Sequence, residues 1–152
     1  MRLIGMVMLF LCCTGGGFWL SGRLAGRVRR LESAEQLLTE TIGMVRNQNL
    51  PTWEILSRLK DEGYFTDVSN ADAAFGGFAA DPLFRPAERV VLVRSGQLLG
   101  ASDRESQAAR LELELSALRR MRSDAEEERA VKGKLFRSMG LLLGSLAVVL
   151  AI

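Results

Sequence analysis

Residues 102–152 read SDRESQAARLELELSALRRMRSDAEEERAVKGKLFRSMGLLLGSLAVVLAI, a stretch without a single proline. It opens on Ser102-Asp103-Arg104-Glu105, the spacing of a capping box. In that motif the Ser102 hydroxyl accepts from the Glu105 amide, and the Glu105 carboxylate accepts from the Ser102 amide. The first glycine after it is Gly133, so the stretch predicts one helix from Asp103 to Ile152, 50 residues or about 75 Å long. Ala108, Leu111, Leu115, Leu118 and Ala125 form its apolar stripe, after which Arg122, Arg129 and Lys132 occupy inward positions. The first half is therefore expected to pack on a helical bundle. The part from Arg119 to Lys134 is expected to be a solvated stalk of alternating charge, helped by pairs such as Glu128 with Lys132. A homotypic coiled coil is the alternative use of the stripe, although its heptad pattern lasts barely three repeats.

The end of this helix is uncharged from Ser138 to Ile152, 15 residues or about 22 Å, and Leu135, Phe136 and a snorkelling Arg137 extend it to 18 residues. The beginning of the chain matches it: Leu3 to Leu20 is 18 residues without a charge, about 27 Å as a helix and enough for a bilayer core. Two transmembrane helices, residues 1–22 and 135–152, are expected on either side of a cytosolic helical domain with its stalk, residues 23–134. Charge orients them. Arg23, Arg27, Arg29 and Arg30 follow the first run, and Arg129, Lys132, Lys134 and Arg137 lead into the second. Residues 31–128 hold all 18 acids and 11 basic residues, so the middle carries −7. The positive-inside rule then places the middle in the cytoplasm and both termini across the membrane, with the flanking cations against anionic lipid headgroups. Competing readings are basic linkers flanking a soluble bundle, a buried core helix, a cleaved signal peptide, and a lipoprotein leader. Arg2 is a thin start for a signal peptide and the four arginines after the run oppose export, while Leu11 and Cys12 are poor residues to precede a lipidated cysteine.

Between the runs the pattern is helical. Leu24, Val28, Leu31, Leu38, Ile42 and Val45 follow one helix face that Glu35 interrupts, and Asn47, Asn49 and Pro51 end it. Pro51 suits the start of a second helix, about Thr52 to Glu62, with Trp53, Leu56 and Leu59 as its apolar face, Ile55 beside them and Gly63 as its stop. A third helix is expected from about Ser69 to Ala80, weakened by Gly76-Gly77. Pro86 opens a fourth segment, Ala87 to Leu99, read as a helix; Val90-Val91-Leu92-Val93 leaves a strand as the alternative. The expected fold class is all-α, a helical bundle between two transmembrane helices.

The chemistry is sparse. The chain has no His, which excludes His-based acid–base catalysis and His-ligated metal sites. Its two cysteines, Cys12 and Cys13, are adjacent within an apolar run. Gly15-Gly16-Gly17 lacks the lysine of a phosphate loop, and Gly140 with Gly144, like Gly22 with Gly26, reads as a close-approach face for helices in a membrane. Acid groups such as Asp61-Glu62 and Asp124 with Glu126-Glu127-Glu128 read as solvated helix surface. A net charge of +2 argues against a nucleic-acid binder. No enzyme, metal or cofactor is expected.

Two motifs carry a family resemblance. Leu99-Gly100-x-Ser102-Asp103-x-Glu105-x-Gln107, and Lys134-Leu135-Phe136-Arg137-Ser138-Met139-Gly140 followed in register by Gly144, resemble segments of the stage III sporulation protein AB family of endospore-forming bacteria. Phe136 stands where that family usually has Tyr, and the Ala/Gly-rich residues 71–80 have no clear counterpart. The resemblance implies a membrane component of a transport complex between mother cell and forespore, on the mother-cell side of the outer forespore membrane. Its cytosolic domain would be similar to that of type II secretion inner-membrane platform proteins. The implied partners are a companion sporulation ATPase and channel-ring proteins. A reading of another class is a small two-span structural protein that self-associates through its long helix, without an ATPase.

Overall fold

The computed structural model describes residues 2–48, 50–101 and 103–151. Their regular structure is helical: α1 Arg2–Gly43 with a wider π turn Met44–Gln48 at its end, α2 Thr52–Asp61, α3 Ala71–Ala79, α4 Pro86–Leu98 and α5 Arg104–Ala151. The chain divides into two compact units, a terminal one, Met1–Val28 with Asp124–Ile152, and a central one, Arg29–Ser123.

In the central unit the α1 stripe is buried at Leu31, Leu38, Ile42 and Val45, and Ala34 and Leu37 join it. Thr41 is buried among them because its hydroxyl donates to the Leu37 carbonyl at 2.7 Å, so no polar atom is stranded there. The Pro51 carbonyl accepts from the Glu54 and Ile55 amides at 3.0 and 3.2 Å and starts α2. Ile55, Leu56 and Leu59 of α2 are buried, but Trp53 is 71% exposed, which corrects its expected place in the core. At 100° per residue the buried face centres between Ile55 and Leu56, and Trp53 falls about 110° away from it. The α2 terminus is a Schellman motif: the Tyr64 amide donates to the Leu59 carbonyl at 3.0 Å, the Gly63 amide to Lys60 at 2.9 Å, and Gly63 takes φ +87°.

The Asn70 side chain caps α3, accepting from the Ala73 amide at 2.6 Å. Phe75 of α3 is fully buried with its ring centroid 5.2 Å from that of Phe65. Residues 90–93 are helical, not a strand. Pro86 sits at the first helical position and the Glu88 carboxylate accepts from the Arg85 amide at 2.7 Å, a start signal that overrides the β propensity of the valines. α3 and α4 pack closely because Gly96 has no side chain: a Cβ there would lie 2.9 Å from both the Ala71 carbonyl oxygen and Phe75 Cβ. Ala108, Leu111, Leu115 and Leu118 of α5 are buried within the chain, so this part of the stripe is not free to form a homotypic coiled coil.

In the terminal unit Ser21, Arg27 and Val28 of α1 and Ala125 of α5 are buried. Arg27 Nη1 lies 2.8 Å from Glu128 Oε2, and Lys132 Nζ lies 2.6 Å from Glu128 Oε1. Of the expected stalk, the Glu128–Lys132 pair is present and most side chains are exposed; what the structure adds is the ion pair of Glu128 with Arg27 of α1. Val131, Leu135, Met139, Leu142 and Leu146 of α5, with Met8 and Trp19 of α1, are exposed. Among the described residues no helix is long and apolar enough to cross a membrane. Many side chains of the two uncharged runs lie outside the described set.

Candidate functional site

The first motif is the α4–α5 connector. Gly100 adopts φ +89°, a left-handed conformation that L side chains rarely take, and a Cβ there would approach Thr52 Oγ1 to 3.3 Å. Gln107 is 6% exposed and its Nε2 donates to the Leu98 carbonyl at 3.0 Å, occupying an acceptor at the end of α4. The Asp103 carboxylate accepts from the Ser106 amide at 3.3 Å, and the Asp103 carbonyl accepts from the Gln107 amide at 2.9 Å. The Ser106 side chain, with the bond from the Ser106 amide adding to it, holds the Asp103 carboxyl below the usual aspartate range. Of the expected Ser102–Glu105 box, Ser102 lies outside the described residues, and Glu105 is exposed in the first turn of α5. Sequence reading missed Asp103 as a cap, although Asp with an amide three residues on is an ordinary signal for one. In the second motif Ser138 is exposed on α5, while Arg137, Gly140 and Gly144 lie in α5 with side-chain positions outside the described set. Gly100, Asp103 and Gln107 thus come together between Leu98 and Gln107 as a structural joint between α4 and α5.

A second constellation answers why Glu35 interrupts the α1 stripe. Its Oε1 accepts from Arg119 Nε and its Oε2 from Arg122 Nη1, both at 2.8 Å. Desolvation pushes the Glu35 carboxyl up, but the hydrogen bonds and charges of Arg119 and Arg122 together outweigh it and hold it below the usual value. The acid that breaks one stripe and the Arg122 that follows the other are therefore one clasp between α1 and α5 of the central unit. An open groove of about 410 Å³ runs along it, lined by Glu32, Gln36, Thr39 and Glu40 as well.

Glu40 sits in the opposite electrostatic situation. Burial raises its carboxyl, the neighbouring Glu62 raises it further, and the hydrogen bond that Tyr64 donates at 3.3 Å only partly opposes this. Its Oε2 is buried without a hydrogen-bond partner among the described residues. Elsewhere Arg30 Nε meets Asp81 Oδ2 at 2.8 Å, beside a cavity of about 390 Å³ lined by Tyr64, Phe78, Gly77 and Asp67. Among the described residues there is no group of three metal-ligating side chains.

A family model described as Stage III sporulation protein AB matches residues 2–66 and 72–152. The chain belongs to the stage III sporulation protein AB family. The residues between the two matched segments, 67–71, are the loop before α3 and its first residue, so most of the Ala/Gly-rich stretch is within the family pattern after all. The chain is 36% identical over 66 residues to Stage III sporulation protein AB of Bacillus subtilis (strain 168), a match covering 43% of this chain and 39% of that relative. The chain thus spans about two fifths of the length of that curated relative. No solved structure matches.

Proposed function

We propose that the chain is a membrane platform component of a sporulation transport complex between mother cell and forespore, coupling a cytosolic ATPase to membrane channel parts. Its family supplies a sporulation-related role. The platform reading is supported by one observation: α1 and α5, the two longest helices, each contain an uncharged run and a stretch of the central unit, and the central unit clasps them through Glu35. A helix pair of that kind can carry tilt or rotation from a cytosolic motor to membrane neighbours. Residues 23–134 lie in the cytoplasm, on the mother-cell side of the outer forespore membrane, because both basic collars face the middle of the chain. Membrane insertion is favoured by the apolar side chains left exposed on the last part of α5; burying Leu135, Met139, Leu142 and Leu146 at roughly 1.5–3 kcal/mol each outweighs any one snorkelling charge. The protein binds partners and turns over nothing, since it has no His and no phosphate loop.

The test is capture of the companion ATPase by the full-length chain in detergent. Retention of the ATPase, with no nucleotide hydrolysis by the chain alone, is the expected result; hydrolysis by the chain alone, or no retention, contradicts it. The exposed apolar row on α5 also fits self-association in a structural role, which a concentration-dependent cross-link without ATPase retention would favour.

A further inference from the structure

The terminal unit contains a notch of about 310 Å³, the lower end of ligand-pocket sizes, lined by Ser21 of α1 and Glu126, Arg129, Ala130, Gly133 and Lys134 of α5. Its floor is Gly133, where a Cβ would stand 3.5 Å from the Ser21 hydroxyl oxygen. The cations around it are not equivalent. Arg27 and Lys132 are both taken by Glu128, and the Arg23 guanidinium lies 5.4 Å from the centroid of the Trp19 ring. Arg129 and Lys134 are exposed and have no ion pair among the described residues, and both line the notch. Two cations against the single carboxylate of Glu126 leave the notch net positive.

Its level along the chain selects the anion. Ser21 directly follows the uncharged run Leu3–Leu20, and Lys134 lies four residues, about 6 Å of helix, before the run Ser138–Ile152. Trp19, 66% exposed, is the kind of side chain that sits at headgroup depth. We propose that the notch holds the phosphate of an anionic glycerophospholipid between Arg129 and Lys134, with the Ser21 edge of α1 as its far wall. Choline on a zwitterionic lipid brings a cation toward the same two cations, so the notch prefers headgroups that lack one. This rests on the membrane reading above and adds to it a headgroup site distinct from the general attraction of the collars.

The test uses the full chain with Trp53→Phe, which leaves Trp19 as the remaining tryptophan, reconstituted into vesicles. Brominated phosphatidylcholine and brominated phosphatidylglycerol are compared as quenchers of Trp19. No quenching by brominated phosphatidylcholine means that α1 does not insert, and the membrane reading fails. Quenching by both lipids alike leaves insertion standing and overturns the headgroup site. The expected result is a preference for phosphatidylglycerol of about fivefold for each of the two basic residues. Arg129→Gln with Lys134→Gln should lower it to the level left by the general attraction of the collars. Ala130→Phe, which fills the notch and leaves the charge alone, should lower it to that same level, whereas Arg29→Gln, in the other collar and outside the notch, should retain it. Equal loss in Arg29→Gln and Arg129→Gln, or persistence in Ala130→Phe, overturns the proposal in favour of diffuse attraction. Removal of the preference by inorganic phosphate at constant ionic strength overturns it in favour of a soluble anion.

Discussion

Glu35 and Glu40 are five residues apart on α1, and their surroundings drive them in opposite directions. Glu35 is held below the ordinary glutamate value, so its contribution to stability is fully present above that value and is lost as the pH falls through its folded pKa. Glu35→Gln should cost about 1–2 kcal/mol at neutral pH, less than a fully buried charge-assisted bond because Arg119 and Arg122 remain partly in water. That cost should shrink in acid, as chemical denaturation at neutral and low pH can measure. Glu40 is held above the ordinary value, so the fold is favoured with it protonated, and stability falls as the pH rises through its raised pKa. Glu40→Gln should therefore stabilise the protein at neutral pH and lose its advantage in acid. A lower melting temperature at neutral pH would show that the Glu40 carboxylate has a favourable partner in solution. Gly96→Ala tests packing at the same scale. The gain in helix propensity is about 1 kcal/mol, but the new methyl would meet a carbonyl oxygen and Phe75 Cβ at 2.9 Å, so a net loss of about 1–2 kcal/mol is expected.

The helices follow local signals where those signals are dense. The 3–4 spacing of Leu31, Leu38 and Ile42, the stop at Gly63 and the pattern Ala108 to Leu118 were readable because each depends on neighbours within a turn or two. Trp53 was misplaced because a short helix leaves its face centre undetermined until a neighbouring helix chooses it. The pairing of Glu35 with Arg119 and Arg122 was beyond local reading. It joins residues 84 and 87 apart, and the sequence shows only two interrupted stripes. In the stalk the pair of Glu128 with Lys132, four residues on, was legible, but the second partner of Glu128, Arg27, lies 101 residues away and was not. For the α4–α5 joint, Gly100 was legible as a motif position but its backbone conformation was not. Gly100→Ala should cost about 1–2 kcal/mol from the left-handed backbone, with the close approach to Thr52 adding to it. Gln107→Ala should cost about 1 kcal/mol by removing the shorter of the two hydrogen bonds that the Leu98 carbonyl accepts, leaving it the 3.3 Å bond from the Ala101 amide. Unchanged unfolding in both variants would mean that the joint does not constrain the domain.

At the scale of the molecule, α1 and α5 are the only helices among the described residues that contain parts of both units, so each is a continuous helical connection from one unit to the other. The clasps differ in strength of enclosure: Arg27 and Glu128 are 11% and 16% exposed, whereas Arg119 is 57% exposed, so Arg27→Gln should destabilise the protein more than Arg119→Gln. The central claim is that the helix pair acts as a link between a partner in the cytoplasm and the membrane. Ala125 is buried in α5 just past the central unit, and proline there removes a helix hydrogen bond and kinks the chain at roughly 3 kcal/mol. The most direct measurement is sporulation efficiency in cells producing Ala125→Pro, alongside the amount of the variant in the membrane fraction and its capture of the ATPase. The account predicts a protein that reaches the membrane and still captures the ATPase but no longer supports sporulation. Normal sporulation with the variant stably present would contradict the link.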